Sequence, residues 1–402
     1  MKNWTTLNEV CVKITDGSHF SPAEDVNGEL MASSKDMLEN GWDFSNIKKI
    51  SKEDFDKLVK SDCKPLFDDV LIIKDGNNYL EKVFTCKKEI NLVILSSIAI
   101  LRPNTQRISS LFLQYLLRAK YIKEAAANFV SGAAIPRVIL SDFKKVKIPD
   151  YPLPTQQRIA YTLGAYDELI EVNNQRIKLL EETARELYKH WFVRMRFPGY
   201  KKAKLIKGLP QDWQVKKLKE CNEFKYGTMP KPSLIKEKGY PIFSGYGIVG
   251  FYEKRMFEEK TLIVVARGVG GTGDIKLTPP NCWLTNLAIA ILPNNIDIKK
   301  YFLYYTLSAI DLRYLDSGSA QSQITIADLG NLKLPIASIE LQEKFESIVI
   351  PINYQVDNIQ QQNAQLRQIR DRLLPRLVSG KLVVKLPKQY ESHDALSMAA
   401  EP

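Results

Sequence analysis

Two long stretches of the chain repeat apolar residues at alternating intervals of four and three positions. The first covers residues 155–192 and the second covers residues 345–377. A 4-3 repeat keeps the apolar side chains on one narrow stripe of a helix, which is typical of a coiled-coil seam rather than of a globular surface helix. We therefore predict two long helices, each with its seam turned toward a partner helix.

The two seams predict an antiparallel pair with a defined register. Each seam contains one asparagine, Asn173 in the first helix and Asn363 in the second. Placing these two opposite each other lets their amides satisfy one another, whereas a lone buried asparagine costs stability. The same register places Arg370 near Tyr166. The predicted helix-pair core consists of Ile159, Leu163, Tyr166, Ile170, Asn173, Ile177, Leu180, Ala184, Leu187, Trp191, Phe345, Val349, Ile352, Val356, Ile359, Asn363, Leu366, Arg370, Leu373 and Leu377.

The second helix contains two prolines, Pro351 and Pro375. Each removes a helical hydrogen bond, so we expect a kink or break at both, and the pairing is best supported between residues 352 and 373. The alternative is that each helix only caps its own β-rich unit. A paired rod of about 30 residues would be about 45 Å long and would hold the units at its ends a set distance apart.

The chain also repeats itself outside the helices. GAAIPRVILSDFKKVKIP (132–149) aligns with GSAQSQITIADLGNLKLP (318–335), and the same shift carries Gln156 onto Gln342. DVLIIKDG (69–76) in the first repeat occupies the same place as TLIVVARG (261–268) in the second. We predict two β-rich units of the same plan, each followed by one long helix. Each unit begins with a segment that contains a tryptophan and later contains a short helix. The first unit has Trp4 and a predicted helix at 109–127, and the second has Trp213 and a predicted helix at 298–314.

A glycine-rich stretch in the second unit invites a cofactor interpretation. VVARGVGGTGDIKLTPP (264–280) follows a β-branched run, and Gly268, Gly270 and Gly273 fit the spacing of a dinucleotide-binding loop. Such a loop must open a helix, because the pyrophosphate binds to the helix N-terminus. Here two adjacent prolines and strand-like residues follow instead. We predict strand, glycine loop and strand, with glycines that let Arg267 and backbone N–H groups approach DNA.

Composition and charge narrow the function. The 402 residues carry a net charge of +11, and residues 185–219 contain eleven Lys or Arg against two acidic residues. A basic chain with 18 Tyr and 16 Phe favours a polyanionic partner, most often nucleic acid. Five scattered cysteines without a C-x-x-C pair, no signal-peptide pattern and no long apolar run predict a cytoplasmic protein without disulfides or zinc.

The helical segments resemble a known family. LPTQQRIAYTLGAYDELIEVNNQRIKLLEETARELYKHWFVRMRFPGY (153–200) is similar to the central conserved region of the specificity subunits of type I restriction-modification systems. LQEKFESIVIPINYQVDNIQQQNAQLRQIRDRLLPRLVSGKL (341–382) resembles their distal conserved region, apart from Pro351, and ITDGSHFSP (14–22) resembles their opening segment.

The resemblance implies a subunit without chemistry of its own. It would read a split DNA sequence and dock two methyltransferase subunits, which restriction subunits then join. S-adenosylmethionine would bind to the methyltransferases, for methylation of adenine N6, and this chain would hold no cofactor, metal or catalytic residue. The sequence agrees in that it has no N-P-P-F/Y motif. The alternatives are an enzyme, a structural adaptor that binds only protein, and a DNA-binding protein outside restriction-modification.

Base reading requires Arg, Lys, Asn or Gln side chains that reach base edges in the major groove. Loops between strands are suited to present them, although each such residue is otherwise an ordinary exposed loop residue. The DNA-binding candidates are His19, Lys74, Asn77, Asn78, Tyr79 and Arg137 in the first unit and Lys231, Arg267, Asn286, Gln321 and Gln323 in the second. Residues 194–207 are a candidate for the DNA backbone, and Glu171, Arg176, Glu182 and Arg185 are candidates for methyltransferase docking.

The predicted fold class is α+β, with two β-rich target-recognition domains separated by two long antiparallel coiled-coil helices and an internal pseudo-twofold repeat. Because the two β units differ widely, we predict two different half-sites and an asymmetric target. The predicted domains are 1–152 (first recognition domain), 153–197 (central helix), 198–338 (second recognition domain), 339–382 (distal helix) and 383–402 (a flexible tail).

Overall fold

The computed structural model of the chain divides into two compact units. Unit 1 consists of residues 1–173 and 362–402, and unit 2 of residues 174–361. The structure describes residues 3–76, 78–127, 130–131, 137–268, 270–316 and 323–384.

Unit 1 contains two sheets and two short ribbons. Its four-stranded antiparallel sheet has the order β2-β8-β5-β6, and a three-stranded sheet has the order β4-β3-β7 with β3 and β7 parallel. β1 pairs with β11, and β9 with β10. The strands are β1 Trp4–Thr6, β2 Cys11–Asp16, β3 Glu29–Ala32, β4 Lys48–Ile50, β5 Val70–Ile73, β6 Val83–Thr85, β7 Leu92–Ile94, β8 Ile98–Pro103, β9 Val130–Ser131, β10 Arg137–Val138 and β11 Lys147–Pro149.

The apolar run of β5 is explained by burial on both faces. Successive side chains of a strand point to opposite faces. Val70 and Ile72 therefore contact one core, which includes Phe112 of a covering helix, whereas Leu71 and Ile73 belong to a second core on the other face. The helices of unit 1 are α1 Leu7–Val10, α2 Lys52–Lys60, α3 Ser110–Arg118, α4 Lys120–Ala127, α5 Leu140–Phe143 and the first part of α6 Leu153–Tyr188.

Unit 2 repeats this plan. Its four-stranded antiparallel sheet has the order β15-β22-β19-β20, which matches β2-β8-β5-β6 position by position, and β14 pairs with β23 as β1 pairs with β11. The strands are β12 Leu205–Ile206, β13 Leu209–Pro210, β14 Gln214–Lys217, β15 Asn222–Tyr226, β16 Ile235–Lys236, β17 Tyr240–Phe243, β18 Ile248–Tyr252, β19 Leu262–Val265, β20 Ile275–Leu277, β21 Trp283–Leu284, β22 Ala288–Pro293 and β23 Lys333–Ile336. The helices are α7 Leu218–Cys221, α8 Lys300–Ser308, α9 Ile326–Asn331 and parts of α6 and of α10 Ile339–Val378.

The two long helices are antiparallel within each unit. In unit 1, Asn173 Nδ2 of α6 donates to Asn363 Oδ1 of α10 at 2.8 Å, which confirms the predicted asparagine pair. In unit 2, a π-helical turn, Lys189–Val193, continues α6, and its Trp191 ring lies 6.1 Å from the Phe345 ring, as the same register requires. All twenty predicted seam residues are buried or partly buried. The predicted fold class is confirmed.

Of the predicted kink or break at the two prolines of the second helix, the break is wrong, and the kink stays a prediction. α10 is helical from Ile339 to Val378 and passes through both Pro351 and Pro375. The carbonyls that lose an N–H donor are those of Ser347 and Asp371, four residues earlier, and both residues are exposed. Water can donate to carbonyls at exposed residues, so the helix continues.

Candidate nucleic-acid interface

In unit 1, three of the predicted DNA contacts come together at one end of the four-stranded sheet. β2 ends at Asp16, Lys74 and Asp75 follow β5, and Arg137 begins β10. Asp75 and Arg137 form an antiparallel bridge, with Arg137 Nε 3.6 Å from Asp75 Oδ1. His19 Nε2 lies 3.4 Å from Asp16 Oδ2. The His19 and Arg137 side chains are 72% and 61% exposed, so both are accessible to a ligand.

Lys74 is not placed to reach a base, which corrects the sequence prediction. Its side chain is only 5% exposed, and its Nζ lies 3.2 Å from Asp16 Oδ2 and 2.9 Å from Asp75 Oδ2. A buried ammonium group requires such partners, because leaving water without them is costly. The sequence analysis missed both carboxylates. Asp75 directly follows the lysine in the sequence, but Asp16 becomes its neighbour only through the pairing of β2 with β8 and β8 with β5.

Unit 2 has an equivalent bridge with different chemistry. Arg267 follows β19 as Asp75 follows β5, and Arg267 pairs with Gln323 in an antiparallel bridge. The backbone supports the equivalence, since Lys74 N–H donates to Ser97 O and Ala266 N–H donates to Leu287 O. The arginine of the bridge therefore lies on the closing segment in unit 1 and on the turn in unit 2.

Several buried polar atoms beside this second bridge have no hydrogen-bond partner among the described residues. They are Arg267 Nε, Thr285 Oγ1 and Asn286 Oδ1. Thr285 and Asn286 are followed by Leu287, whose carbonyl accepts the Arg267 N–H at 3.1 Å, and β22 begins at the next residue, Ala288. Unsatisfied polar groups in one place are unusual in a folded chain and mark a place where a polar ligand can bind.

The glycines of the 264–280 stretch pack against a tyrosine. A Cβ atom on Gly268 would lie 2.4 Å from Tyr246 Oη, and one on Gly271 would lie 2.5 Å from Tyr246 Cε1. Tyr246 OH donates to Arg267 O at 3.1 Å, and Lys276 Nζ lies 5.5 Å from the ring centre. Gly268 and Gly271 therefore make room for this ring, whereas a Cβ atom on Gly270 would meet nothing within 4 Å. That the glycines let Arg267 and backbone N–H groups approach DNA stays a prediction. The predicted strand, loop and strand are confirmed by β19 and β20.

The remaining DNA-binding candidates are scattered or undescribed. Lys231 and Asn78 are exposed. Tyr79 is partly buried and packs against the unit 1 core, so its ring supports the fold. Asn77 and Gln321 lie outside the described residues, as do the glycine loops that begin at residues 132 and 318.

One glutamine near the start of each long helix ties that helix to its β unit. Gln156 Oε1 accepts from Ser109 N–H at 2.9 Å, and its Nε2 donates to the carbonyls of Arg107 and Tyr151 at 2.9 and 2.7 Å. Gln342 makes the same three bonds, with Lys299 N–H and the carbonyls of Asp297 and Ala337, at 2.8, 3.0 and 2.8 Å. The sequence repeat aligned these glutamines, and the structure shows their common role.

A buried charged network further anchors both helices in unit 1. Asp167 of α6 accepts from Tyr115 OH at 2.7 Å and from Arg118 Nη1 at 2.9 Å, and it also pairs with Arg370 of α10, which contacts Glu39 at 2.7 Å. Burial raises the pKa of Tyr115, and the Asp167 carboxylate raises it further. Burial alone would lower the pKa of Arg370, but Asp167 and Glu39 raise it overall. Arg370 therefore stays charged.

Unit 2 has a neutral counterpart of this contact. Asn353 of α10 donates to Tyr305 OH of α8 at 3.0 Å, where unit 1 has Asp167 and Tyr115. Burial is the main cause that raises the pKa of Tyr305, to about 12. A tyrosine therefore contacts a long helix in both units. In unit 1 its partner is the charged Asp167, which also pairs with two arginines, whereas in unit 2 its partner is the neutral Asn353.

The comparisons with known proteins agree with this architecture. A family model described as "Type I restriction modification DNA specificity domain" matches residues 2–182 and 210–368. The chain belongs to this family. The two matched segments of the specificity family each contain one of the two β-rich regions, and together they cover most of the chain.

Individual relatives carry matching names. The chain is 29% identical over 306 residues to the "Type I restriction enzyme MjaIX specificity subunit" of Methanocaldococcus jannaschii, covering 69% of this chain and 70% of that one. It is 27% identical over 361 residues to the MjaVIII specificity subunit of the same organism, covering 82% and 83%. A crystal structure of the type I restriction-modification S subunit from M. genitalium matches with a TM-score of 0.58 at 20% identity, over 96% of this chain and 97% of that one. This match shows that the two chains share a fold.

Membership of the family is compatible with two further findings. Within the described ranges, no helix is both long enough and apolar enough to cross a bilayer. In the same part of the chain, His, Cys, Asp and Glu side chains form no group of three that could hold a metal ion.

Proposed function

We propose that this chain is the non-catalytic DNA-specificity subunit of a type I restriction-modification complex and that it reads an asymmetric, bipartite target. The recognition domains would be residues 1–152 and 198–338, joined by the helices at 153–197 and 339–382. The observation that carries the proposal is the duplicated bridge. One fold presents Asp75 with Arg137 in unit 1 and Arg267 with Gln323 in unit 2. Equivalent positions with different hydrogen-bonding groups favour two different half-sites.

The long helices are proposed to dock methyltransferase subunits. In unit 1, Leu169 and Val172 of α6 are three residues apart and therefore occupy neighbouring positions on the helix surface. Their side chains are 47% and 45% exposed, and Ile369 of α10 is 45% exposed. Exposed apolar side chains that share a helix face suit a protein interface better than open solvent. Two methyltransferase subunits would bind S-adenosylmethionine and methylate adenine N6, and restriction subunits would join that assembly.

Adenine-methylation mapping tests the proposal. The chain is co-expressed with its partner methyltransferase in a host without adenine methylation, and genomic DNA is sequenced by a method that detects N6-methyladenine. We expect methylation at one motif with two unlike half-sites separated by a fixed gap. A palindromic motif would contradict the asymmetric target, and absence of any motif with an active methyltransferase would contradict the specificity role.

A protein-only adaptor is the alternative that this experiment separates. Such an adaptor would still bind the methyltransferase but would leave the methylation pattern unchanged when its loops are altered. Fluorescence anisotropy with random duplex DNA, measured with and without the methyltransferase, gives a second distinction, because the adaptor would add no salt-dependent affinity for DNA.

A further inference from the structure

We propose that each unit reads one guanine through a single arginine held at the duplicated bridge, Arg137 in unit 1 and Arg267 in unit 2. The inference rests on the proposed function and adds the chemical class of the base that each unit selects. It also assigns equivalent roles to two residues that do not align in the sequence repeat.

The geometry of the bridge carries the proposal. In each unit an antiparallel bridge joins the turn after the buried central strand, β5 or β19, to the segment that precedes α5 or α9. One arginine is present at each bridge, on the closing segment in unit 1 and on the turn in unit 2. The two members of an antiparallel bridge lie side by side, with closely spaced Cβ atoms, so a long side chain from either member can reach the same space.

The two arginines differ from the structural arginines of the same fold. Arg102 binds Asp69 through two parallel bonds of 2.9 Å, and Arg118 contacts a carboxylate and backbone carbonyls. The guanidinium groups of Arg102 and Arg118 donate their hydrogen bonds to other residues of the same unit, so these two arginines stabilise the fold.

The bridge arginines keep guanidinium nitrogens available. Arg137 approaches Asp75 only through Nε, at 3.6 Å, and its side chain is 61% exposed. Arg267 has no carboxylate within 4.0 Å among the described residues, and its buried Nε lacks a hydrogen bond. A guanidinium group with two free N–H donors matches O6 and N7 of guanine, the commonest specific contact in the major groove. Asp75 is then a positioning residue for Arg137.

A contact to a phosphate is the competing role for an available arginine, and it predicts a different result. Loss of a phosphate contact weakens binding to all sequences alike, whereas loss of a base contact relaxes selection at one position. The experiment must therefore measure selection at each position of the target, rather than only affinity.

The test uses the full chain with its partner methyltransferase. Variants Arg137→Gln and Arg267→Gln are compared with the wild type by methylation mapping and by competition between duplexes in which the mapped guanine is replaced. We expect each variant to lose guanine selection at one position of one half-site, by roughly 5- to 150-fold, while the other half-site is unchanged. Arg255→Gln, an exposed arginine of unit 2 paired with Glu258, is the matched control and should leave the motif unchanged.

A second variant keeps the proposal testable if Arg267→Gln folds poorly. In Arg267→Gln/Gln323→Arg the arginine moves to the other side of the bridge, as in unit 1, and guanine selection should return. Co-purification with the methyltransferase checks that each variant is folded. Equal weakening at all sequences, no change in either half-site, or a wild-type half-site without any G·C pair would each overturn the inference. If the wild type gives no bipartite motif, the proposed function itself fails.

Discussion

The buried asparagine pair of unit 1 should be coupled, so that losing one member is worse than losing both. Asn173 and Asn363 are each 2% exposed and share a hydrogen bond of 2.8 Å. In Asn363→Leu, the Asn173 amide loses this partner in a buried seam, which costs about 1–3 kcal/mol. In the double variant Asn173→Leu/Asn363→Leu both polar groups are gone, and leucines at facing seam positions pack well. We expect the double variant to be within about 1 kcal/mol of the wild type, or more stable.

The measurement must report on unit 1 alone, because a chain with two units need not unfold in one step. Hydrogen exchange of peptides that cover residues 159–173, followed by mass spectrometry across a urea series, gives the local free energy of opening. The variant Asn173→Leu completes the cycle and should also cost about 1–3 kcal/mol. If the double variant is as stable as the wild type, the coupling energy between the two positions equals the sum of the two single losses, about 2–6 kcal/mol.

Gln365→Leu is the matched control, since it makes a similar change at an exposed position of α10 two residues from Asn363. It should change the local stability by no more than about 0.5 kcal/mol. The reasoning is refuted if the single variants are as stable as the wild type, or if the double variant loses the sum of the two single losses. The first result would mean that water satisfies each amide. The second would mean that leucine does not fit the seam.

Other side chains of the framework give further predictions. Gln342→Ala leaves one backbone N–H and two carbonyls without their partner and should cost about 1–3 kcal/mol, read from hydrogen exchange of unit 2 peptides across a urea series. Arg370→Met removes one of the two arginines that hold Asp167 and should cost at most about 3–5 kcal/mol, read in the same way from unit 1 peptides. Burial, assisted by Asp69, raises the pKa of Cys11 and of Cys86 to about 12, so neither thiol should react quickly with a disulfide reagent at pH 8.

Each of these has a control in the same chain. Gln360→Ala and Arg372→Met change exposed residues of α10 and should be nearly silent, within about 0.5 kcal/mol. Equal losses in the variant and its control would show that the anchoring contacts do not contribute. For the thiols, all five cysteines should react once the chain is unfolded in urea. Fast labelling of the native protein that peptide mapping assigns to Cys86 would contradict the burial of this thiol.

The helix pair could be predicted from the sequence because the apolar residues of both helices recur at regular intervals. The 4-3 spacing identifies the seam of each helix, and the two asparagines select one register among several. The duplication was visible for a similar reason, since aligned residues such as Gln156 and Gln342 keep the same backbone partners in both units. The sequence pattern wrongly predicted a break at Pro351, because a proline at an exposed helix position costs less than one whose freed carbonyl is buried.

The site was harder to predict because its decisive contacts join distant parts of the chain. Lys74 has the pattern of an exposed turn residue, yet Asp16, from another strand, neutralises it in a buried position. The glycines after Arg267 suggested a ligand, whereas Tyr246 of a separate turn fills the space beside them. No local pattern encodes either contact. Both follow only from the order of strands in the sheets.

The two units show how recognition can diverge on a constant framework. The glutamine near the start of each long helix makes the same three backbone bonds in both units, and a tyrosine from a short helix contacts a long helix in both. These contacts are buried and saturated, so changing them costs stability. The bridge residues at the sheet end are paired through their backbone. Asp75 also neutralises the buried Lys74, but the Arg137 side chain is 61% exposed and can change with little effect on folding. Selection for a new target can therefore act on the bridges, while the buried anchors keep each β unit fixed to the helices.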